Sequence, residues 1–452
     1  MKLSHSKVLA LTLASSLSLI STASYSAAFG IAENSALGLG NAFAGGAASA
    51  EDASTIWYNP AGMTRIKGNQ VVQGVHLIAP SFDYDDEGST TALGGPIAAD
   101  TSEDGGRFAV VPNFFYVHSL SNDLKVGVGI NAPFGLATKY GNDWVGKYHT
   151  IEAEIVTVNV NPAIAWQATP DLSLGFGVNI QYIEATLNNK IDFASACVGT
   201  ALANAVPTAV CAGVPAGTDG FSQLEADDIS FGFNFGALYQ LSEQTRVGLA
   251  YRSEIRHKLE GDADFDVPAA VPSIPFLGGA IAANFVDADL EAQPDLPASL
   301  SISIHHQWSS NIAVMADATW VGWSSIPELL ILFDSPLVSS AEELKLKDNI
   351  RLSIGATYTT NGPFTFRTGF AYDEGAARNA ASRSARFPDN DRYWLTFGAS
   401  YQLNDSMSID TGYAHIFVPD TKINRVGGSS SLLSGEYESA ADILSAQLRW
   451  DM

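Results

Sequence analysis

Residues 229–239 read ISFGFNFGALY, and the alternation of this stretch decides the fold class. Ile229, Phe231, Phe233 and Phe235 fall on one face of an extended chain, and small or polar residues fall on the other. Such period-two alternation predicts a strand with one face in an apolar environment. Stretches of about ten residues suit a tilted strand that crosses a membrane.

Similar stretches recur from Asn69 to the C-terminus, and the links between them alternate between short and long. The short links carry the turn residues Asn, Asp, Pro or Gly, and they fall at 119–123, 168–171, 241–244, 308–311, 359–363 and 403–406. The long links fall at 82–106, 136–150, 191–222, 260–285, 325–344, 374–389 and 418–440. Six short and seven long links connect fourteen strands.

An even strand count with short turns at one end and long loops at the other is typical of outer-membrane barrels. The sequence therefore predicts an all-β protein, a 14-stranded antiparallel transmembrane β-barrel over residues 69–452. No segment of the mature chain has the roughly 20 apolar residues of a helical membrane span. We expect the protein in the outer membrane of a Gram-negative bacterium.

The first 26 residues have the pattern of a secretory signal peptide. Lys2 and Lys7 precede an apolar run over 8–20, and Ser24-Tyr25-Ser26 offers small residues for cleavage. A membrane anchor is the alternative, but the run is shorter than the roughly 20 residues that a span needs.

Residues 27–68 resemble neither neighbour, because they are rich in Gly and Ala and poor in charge. So short a segment cannot bury a core of its own. Asn59-Pro60-Ala61 forms a rigid corner within it. We interpret the segment as an N-terminal hatch that fills the lumen of the barrel.

Composition and motifs exclude several classes of function. A net charge of −24 repels nucleic acid, and neither zinc-protease, serine-hydrolase nor phosphate-loop motifs occur. We therefore predict no enzyme, no cofactor and no metal site. Cys197 and Cys211 are predicted to form a disulfide in an exported protein, because a metal pair would need further ligands nearby.

The alternation at 247–258 places Arg252, Glu254, Arg256 and Lys258 on one face. A face with four charges cannot contact lipid, so we expect all four to point into the barrel. The most economical role for such charges is to pair with each other and to hold the hatch.

Several motifs in order resemble the FadL family of outer-membrane long-chain fatty acid transporters. Ala27-Ala28-Phe29, residues 38–42 (GLGNA) and Asn59-Pro60-Ala61 match the hatch of that family. Matches in the barrel are VPN at 111–113, FGLAT at 134–138, YRSE at 251–254, FRTG at 366–369 and PDNDRYW at 388–394. Met452 departs from the terminal Phe that such barrels usually carry.

The resemblance implies an uptake channel that captures its ligand outside, holds it beside the hatch and releases it sideways through a kinked third strand. It places the kink at Pro133, Phe134 and Gly135. The alternative is that Pro133 only ends a strand.

The same resemblance assigns ligand contacts. It places acyl-chain contacts at Phe29 and Ile31, which could instead be ordinary packing residues, and a carboxylate contact near Lys347. Arg351 shares the charged inner face with Lys347 and is a second candidate carboxylate contact. A second basic position of the family falls at Glu184, a departure that leaves room for neutral ligands.

The expected partners are a long-chain fatty acid or another hydrophobic small molecule, outer-membrane lipid and lipopolysaccharide, and the barrel assembly machinery, with no nucleic acid. Three alternatives remain at this point. They are uptake of aromatic hydrocarbons by the same mechanism, a general diffusion porin, and an outer-membrane lipase.

Overall fold

A computed structural model describes residues 28–334 and 339–452. The predicted signal peptide and Ala27 lie outside the described residues. Within the described ranges, no helix has both the length and the apolar character needed to cross a membrane.

Fourteen strands form the barrel wall, and five of them are built from two or three segments. In chain order they are β1 Gln70–Asp86; β2 Ala109–Ser119; β3 Leu124–Asn131 and Gly135–Lys139; β4 Glu152–Gln167; β5 Leu172–Asp192; β6 Asp219–Gln240; β7 Thr245–Arg252, Ile255–Arg256 and Leu259–Asp266; β8 Ala288–Ala292, Asp295–Leu296 and Ser299–Gln307; β9 Ile312–Val321 and Glu328–Phe333; β10 Ser340–Glu343 and Asn349–Thr359; β11 Phe364–Asp373; β12 Arg392–Asn404; β13 Met407–Val426; β14 Leu432–Asp451. A short strand, Ser102–Asp104, lies in the first long loop.

Antiparallel pairing closes the sheet into a cylinder. Gln70 at the start of β1 lies opposite Asp451 of β14 on one side and Val117 of β2 on the other. All strand pairs between consecutive neighbours are antiparallel. The predicted 14-stranded antiparallel barrel is therefore confirmed.

The predicted loops are correct in order, but most of them are too long: 82–106, 136–150 and 260–285 each include residues of a strand, and further loops do so as well. Residues 325–344 contain the strand segments Glu328–Phe333 and Ser340–Glu343. In 418–440, β13 continues to Val426 and β14 begins at Leu432. The strands continue to pair beyond the apolar belt. Backbone N–H and C=O groups there are stabilised by hydrogen bonds to a neighbouring strand.

The wall presents apolar side chains outward, as the alternation predicts. Phe231 is 67% exposed and Ile229 58% exposed. On the last strand Leu444, Trp450 and Met452 are also exposed. A continuous outward belt of this kind is the surface that a lipid bilayer covers.

The prediction for 247–258 is wrong beyond Arg252. The first segment of β7 ends there, and Ser253 and Glu254 interrupt the strand. Beyond this break Ile255 is buried, and Arg256 is largely exposed. Extra residues at the break shift the alternation by one position, so every later side chain changes face.

The N-terminal segment lies inside the barrel as four short helices: α1 Ala36–Leu39, α2 Gly46–Ser49, α3 Thr55–Tyr58 and a 3-10 helix, Pro60–Arg65. Buried side chains of the wall tie it down. Arg367 forms an ion pair with Glu51 at 3.0 Å, and Gln447 accepts from the Ala36 N–H at 2.8 Å.

The Asn59-Pro60-Ala61 corner is fixed on both sides. The Asn59 side-chain amide donates to Ala47 O at 2.6 Å and to Ala237 O of β6 at 3.0 Å, and its Oδ1 accepts from the Ala61 N–H. A Cβ at Gly236 would lie 1.9 Å from Asn59 Oδ1, and one at Gly175 would lie 2.2 Å from Ala61 N. The corner therefore fits only because the facing wall positions are glycines.

Candidate ligand-binding site

The third strand is interrupted at Ala132, Pro133 and Phe134. Before the interruption, β3 pairs with both neighbours; after it, the segment Gly135–Lys139 pairs with β4 alone, apart from an isolated bridge from Thr138 to Gly106. Pro133 has no N–H to donate and cannot continue a ladder. One edge of the wall between β2 and β3 is therefore open to another partner.

The hatch supplies that partner. The Ile31 N–H donates to Pro133 O at 2.8 Å, and the Gly135 N–H donates to Phe29 O at 2.9 Å. These two bonds form an antiparallel bridge between Gly30 and Phe134. On the other side of the interruption, the Phe134 N–H donates to Thr157 Oγ1 of β4 at 3.0 Å. The break is thus closed by the hatch on one side and held by the wall on the other.

A cavity of about 180 Å³, here called the inner cavity, lies between the hatch and the wall. Apolar side chains dominate its lining, with Ile31, Phe43 and Trp57 from the hatch and Phe134 and Trp323 from the wall. Polar side chains also belong to that lining, namely Asn234, Arg252, Ser299, Ser301, Asp317, Thr319, Asn349, Arg351 and Asp373. An apolar pocket with a few convergent polar groups suits an amphipathic small molecule.

A second cavity of about 80 Å³, the outer cavity, is lined mainly by aliphatic side chains of β4 to β9. Phe29 and Phe387 add aromatic surface, and Glu342 and Arg386 lie in its lining. The Glu342 carboxylate and the Arg386 guanidinium form an ion pair at 3.0 Å. This cavity offers apolar surface for an alkyl or aryl group.

Phe29 stands between the two cavities. Its ring lies edge-on to Trp323 at 4.8 Å and to Phe134 at 6.2 Å, and both of those residues line the inner cavity. It also lies 5.9 Å from the ring of Phe387 in the outer cavity. The same hatch residue whose carbonyl closes the strand break therefore separates the cavities.

A wide vestibule of about 1140 Å³ lies among the loops above the outer cavity. Leu187, Leu224, Leu329 and Ile331 line both spaces. The predicted cysteine pair lies beside the vestibule: Cys197, in α4 (Phe193–Ala203), and Cys211 form a disulfide. The vestibule thus shares lining residues with the outer cavity, Phe29 lines the outer cavity, and the inner cavity includes Pro133 and Phe134 of the strand break.

Arg351 and Ile31 both line the inner cavity. The Arg351 guanidinium donates to Ala42 O at 3.0 Å and lies 5.0 Å from the Trp394 ring centre. Its Nε has no hydrogen-bond partner among the described residues. A buried donor without a partner is costly and suits a ligand acceptor.

Lys347 and Glu184 lie elsewhere. The Lys347 ammonium pairs with Glu374, and Lys347 lines neither cavity. Ile183 points inward to the outer cavity, so Glu184 points outward and accepts from the Tyr182 hydroxyl at 2.9 Å. The interpretation of Glu184 as a changed ligand position is therefore wrong, because neighbouring residues of a strand face opposite sides.

Glu33 is a buried carboxyl that the sequence did not single out. It is completely buried in the hatch, and neither carboxylate oxygen has a side-chain hydrogen-bond partner among the described residues. Burial raises the pKa of Glu33 to about 8. Arg351 opposes this rise and Asp373 adds to it. The protonated form is therefore favoured while the hatch is docked.

Sequence reasoning also missed Trp323, Phe387 and the cavity-lining role of Arg252. Trp323 follows Gly322 just past the first segment of β9, and Phe387 lies in the loop before β12. Neither position belongs to an alternating pattern. The sequence signal at each position is no more than an aromatic residue close to the end of a strand. In the described ranges, no group of three or more His, Cys, Asp or Glu is placed to hold a metal ion.

Comparison with known proteins places this arrangement among outer-membrane transport proteins. The sequence profile of the family described as "Outer membrane protein transport protein (OMPP1/FadL/TodX)" matches residues 17–452. The "Long-chain fatty acid transport protein" of Escherichia coli O6:H1 is 28% identical over 425 residues, which are 93% of each chain.

Two solved structures share the fold. The crystal structure of a Pseudomonas aeruginosa FadL homologue superimposes with a TM-score of 0.84 at 24% identity, over 94% of this chain and 99% of that one. The Pseudomonas putida toluene transporter TodX superimposes with a TM-score of 0.67 at 18% identity, over 96% of this chain and 100% of that one. At these sequence identities, the two superpositions show a shared fold and carry no further conclusion about this chain.

Proposed function

The chain belongs to the OMPP1/FadL/TodX family of outer-membrane transport proteins, and we propose that it takes up long-chain fatty acids and similar hydrophobic molecules. The observation that carries the proposal is the position of Phe29. This residue separates two apolar cavities, and its backbone closes the break in β3. A ligand that displaces Phe29 would loosen the closure of the break.

The route begins at the vestibule and passes the outer cavity to the inner cavity, where the hatch closes the lumen. Release then occurs sideways at Pro133, Phe134 and Gly135. An alkyl chain gains about 0.8 kcal/mol for each methylene removed from water, so an opening toward the bilayer suits it better than an aqueous pore. Outer-membrane lipid, lipopolysaccharide and the barrel assembly machinery remain predicted partners.

The charged lining of the inner cavity consists of two guanidinium groups and the carboxylates of Asp317 and Asp373, and a ligand carboxylate would bind the guanidinium groups. Arg252 and Arg351 both present guanidinium groups there, and Arg351 Nε lacks a partner among the described residues. Charge-assisted hydrogen bonds to a carboxylate are about twice as strong as neutral ones. The acyl chain would extend toward Phe29 and the outer cavity.

Uptake of aromatic hydrocarbons is the second candidate function. The TodX structure is that of a toluene transporter, and the outer cavity here offers an almost entirely apolar lining. A hydrocarbon would bind in the same cavities but has no acceptor atom for a hydrogen bond from the guanidinium groups. A general diffusion porin is less compatible with the hatch, which occupies the lumen and is tied to the wall.

Uptake by cells that carry the intact protein tests the proposal. Labelled palmitate and labelled toluene are supplied separately to cells with the wild-type chain and with Arg351→Met. We expect palmitate uptake to fall about tenfold in the variant, the effect of roughly 1.4 kcal/mol of lost binding, while toluene uptake is unchanged.

Mass spectrometry of molecules that co-purify with the protein is the complementary measurement. Long-chain acids as the bound species support the proposal. Aromatic hydrocarbons as the bound species, together with uptake of toluene but not palmitate, would establish the second candidate instead. Steady ion conductance of the wild-type protein in a planar bilayer would support the porin.

A further inference from the structure

Four buried asparagines form a hydrogen-bonded row across the inside of the wall, and Asn179 Nδ2 extends the network to Asn234 Oδ1 at 3.4 Å. The four are Asn34 of the hatch, Asn131 of β3, Asn159 of β4 and Asn179 of β5, here called the asparagine row. Asn131 Nδ2 donates to Asn34 Oδ1 at 2.8 Å. Asn159 Nδ2 donates to Asn131 Oδ1 at 3.1 Å and to Asn179 Oδ1 at 3.2 Å.

One end of the row lies at the strand break. Asn131 is the last residue of β3 before the interruption. Asn34 follows the hatch residues that bridge the break, and its side-chain amide donates to Ile31 O at 3.1 Å. A shift of Asn131 would therefore act on the break from the wall side and on the bridging segment from the hatch side.

The other end of the row lies at the inner cavity. Asn179 Oδ1 also accepts from the guanidinium of Arg252, which lines that cavity. The Arg252 guanidinium lies over the Trp57 ring with its central carbon 3.5 Å from the ring centre, and it donates to Trp57 O at 2.7 Å. A continuous set of contacts thus connects the cavity with the break.

Asn159 is the central connection of the row. Its amide nitrogen has two N–H groups, and the row uses both of them, one toward Asn131 and one toward Asn179. A buried amide costs free energy unless it is hydrogen-bonded. A change at either neighbour therefore changes the favoured position of Asn159. The hydrogen bonds of the row are coupled to one another and do not act independently.

We propose that the asparagine row transmits occupancy of the inner cavity from Arg252 to the break in β3, and that it responds to hydrophobic acids but not to hydrocarbons. A carboxylate that binds Arg252 competes with Asn179 Oδ1 for the same N–H groups. A hydrocarbon has no acceptor and leaves that bond in place. This inference rests on the proposed function, since it describes how the ligand site regulates its own exit.

Hydrogen exchange of the full-length protein in lipid nanodiscs tests the inference. The probes are the amides of Ile31 and Gly135, which close the break. In the wild type we expect palmitate to accelerate exchange of both amides at least about fivefold, the effect of losing one hydrogen bond of roughly 1 kcal/mol, while toluene leaves them unchanged.

The decisive variant is Asn159→Leu, which keeps the size of the side chain and removes both donors. We expect it to bind palmitate with nearly wild-type affinity but to show no acceleration at Gly135. Asn113→Leu is the matched control, because Asn113 is a buried wall asparagine whose amide contacts His76 and not the row. This control should keep the palmitate response.

Asn131→Ala tests the other end of the row and should give the same loss if Asn159→Leu fails to fold. A Gly135 response in either folded variant equal to that of the wild type overturns the inference but leaves the proposed function standing. Absence of palmitate binding by the wild type overturns both. An equal response of the wild type to toluene overturns the selectivity part of the inference.

Discussion

Two of the breaks in the barrel wall, the one in β3 at Pro133 and the one in β7 at Ser253, are closed in different ways. The break in β3 is closed by the backbone of the hatch, through Ile31 and Phe29. The break in β7 is closed by the wall itself: Ser253 N–H donates to Phe233 O, and Ser253 Oγ accepts from the Phe233 N–H, both at 2.9 Å. Only the first closure can open when the hatch moves.

The comparison teaches that a strand break alone does not make an exit. The β7 break has neither proline nor a segment of another element inserted into it, and the segment that follows it pairs with β8 through Ile255 and Leu296. The β3 break is closed by two hydrogen bonds from a separate element, the hatch, which also lines the inner cavity. What distinguishes a candidate exit is therefore the origin of the bonds that close it.

A disulfide across the β3 break is the strongest test of that difference. Gly30 and Phe134 form a non-hydrogen-bonded antiparallel pair. The Cα atoms of such a pair are about 4.5 Å apart, and a disulfide can span this distance. We expect oxidised Gly30→Cys/Phe134→Cys protein to lose palmitate uptake by about tenfold or more, since the bridge adds roughly 2 to 4 kcal/mol to the closed state. Reduction of the same variant should restore uptake.

The matched control places the bridge beside the other break. Ile255→Cys/Leu296→Cys joins two opposed residues of β7 and β8. Uptake should be the same in its oxidised and reduced forms. Loss of uptake on oxidation of this second variant would mean that the β7 break also moves during transport.

The second prediction concerns pH at the β3 break. The pKa of Glu33 is raised by burial from 4.5 to about 8, so the docked hatch binds a proton that the undocked hatch releases. Docking is therefore strongest below pH 4.5 and weakens as the pH rises toward 8, by about 1.4 kcal/mol per pH unit. Exchange at the Ile31 amide, corrected for its intrinsic pH dependence, should accelerate between pH 6 and pH 8.

Glu33→Gln is the control for this pH dependence, because an amide of similar size does not titrate. Its Ile31 amide should exchange at a corrected rate that is the same at pH 6 and pH 8. If the wild-type and variant profiles coincide, the carboxyl does not contribute to docking.

The third prediction removes a single bond from the hatch-borne closure. Ile31→Pro deletes the N–H that donates to Pro133 O, which costs about 1 kcal/mol. We expect the Gly135 amide to exchange about fivefold faster than in the wild type, as this free energy implies. An unchanged Gly135 rate would show that the hatch does not close the break in solution.

The fourth and smallest effect is expected at the β7 break. Ser253→Ala removes the acceptor of the Phe233 N–H, with a cost of about 1 kcal/mol in stability. Thermal unfolding should begin slightly lower, and palmitate uptake should not change. A fall in uptake comparable to that of Ile31→Pro would remove the distinction between the two breaks.

Much of the barrel follows from the sequence because its signals are local. Alternation at 229–239 places the aromatic face outward, and turn residues at 168–171 and 241–244 mark the short end of the barrel. The site was predictable only in part. Phe29, Ile31 and Arg351 reach the cavities, but the first two assignments depended on a family resemblance, and that of Arg351 on the face it shares with Lys347.

The remaining site residues lack such signals. Lys347 has the positive charge that a carboxylate contact needs. Its position after the first segment of β10, however, places its ammonium group beside Glu374. Arg252 and Arg256 share a sequence pattern, and the interruption at Ser253 sends them to opposite sides of the wall. A one-residue shift leaves composition unchanged but reverses every later side chain.

The sequence by itself determined the number of strands, their order, the outward face of uninterrupted strands such as β6 and the existence of a plug. Each of these depends on residues within one turn or one strand, where steric and hydrophobic preferences act locally. Only the tertiary structure decided that the hatch closes the β3 break and that Asn34, Asn131, Asn159 and Asn179 meet. Those contacts join residues far apart in the chain, and a single hydrogen bond between distant side chains leaves no periodic trace in the sequence.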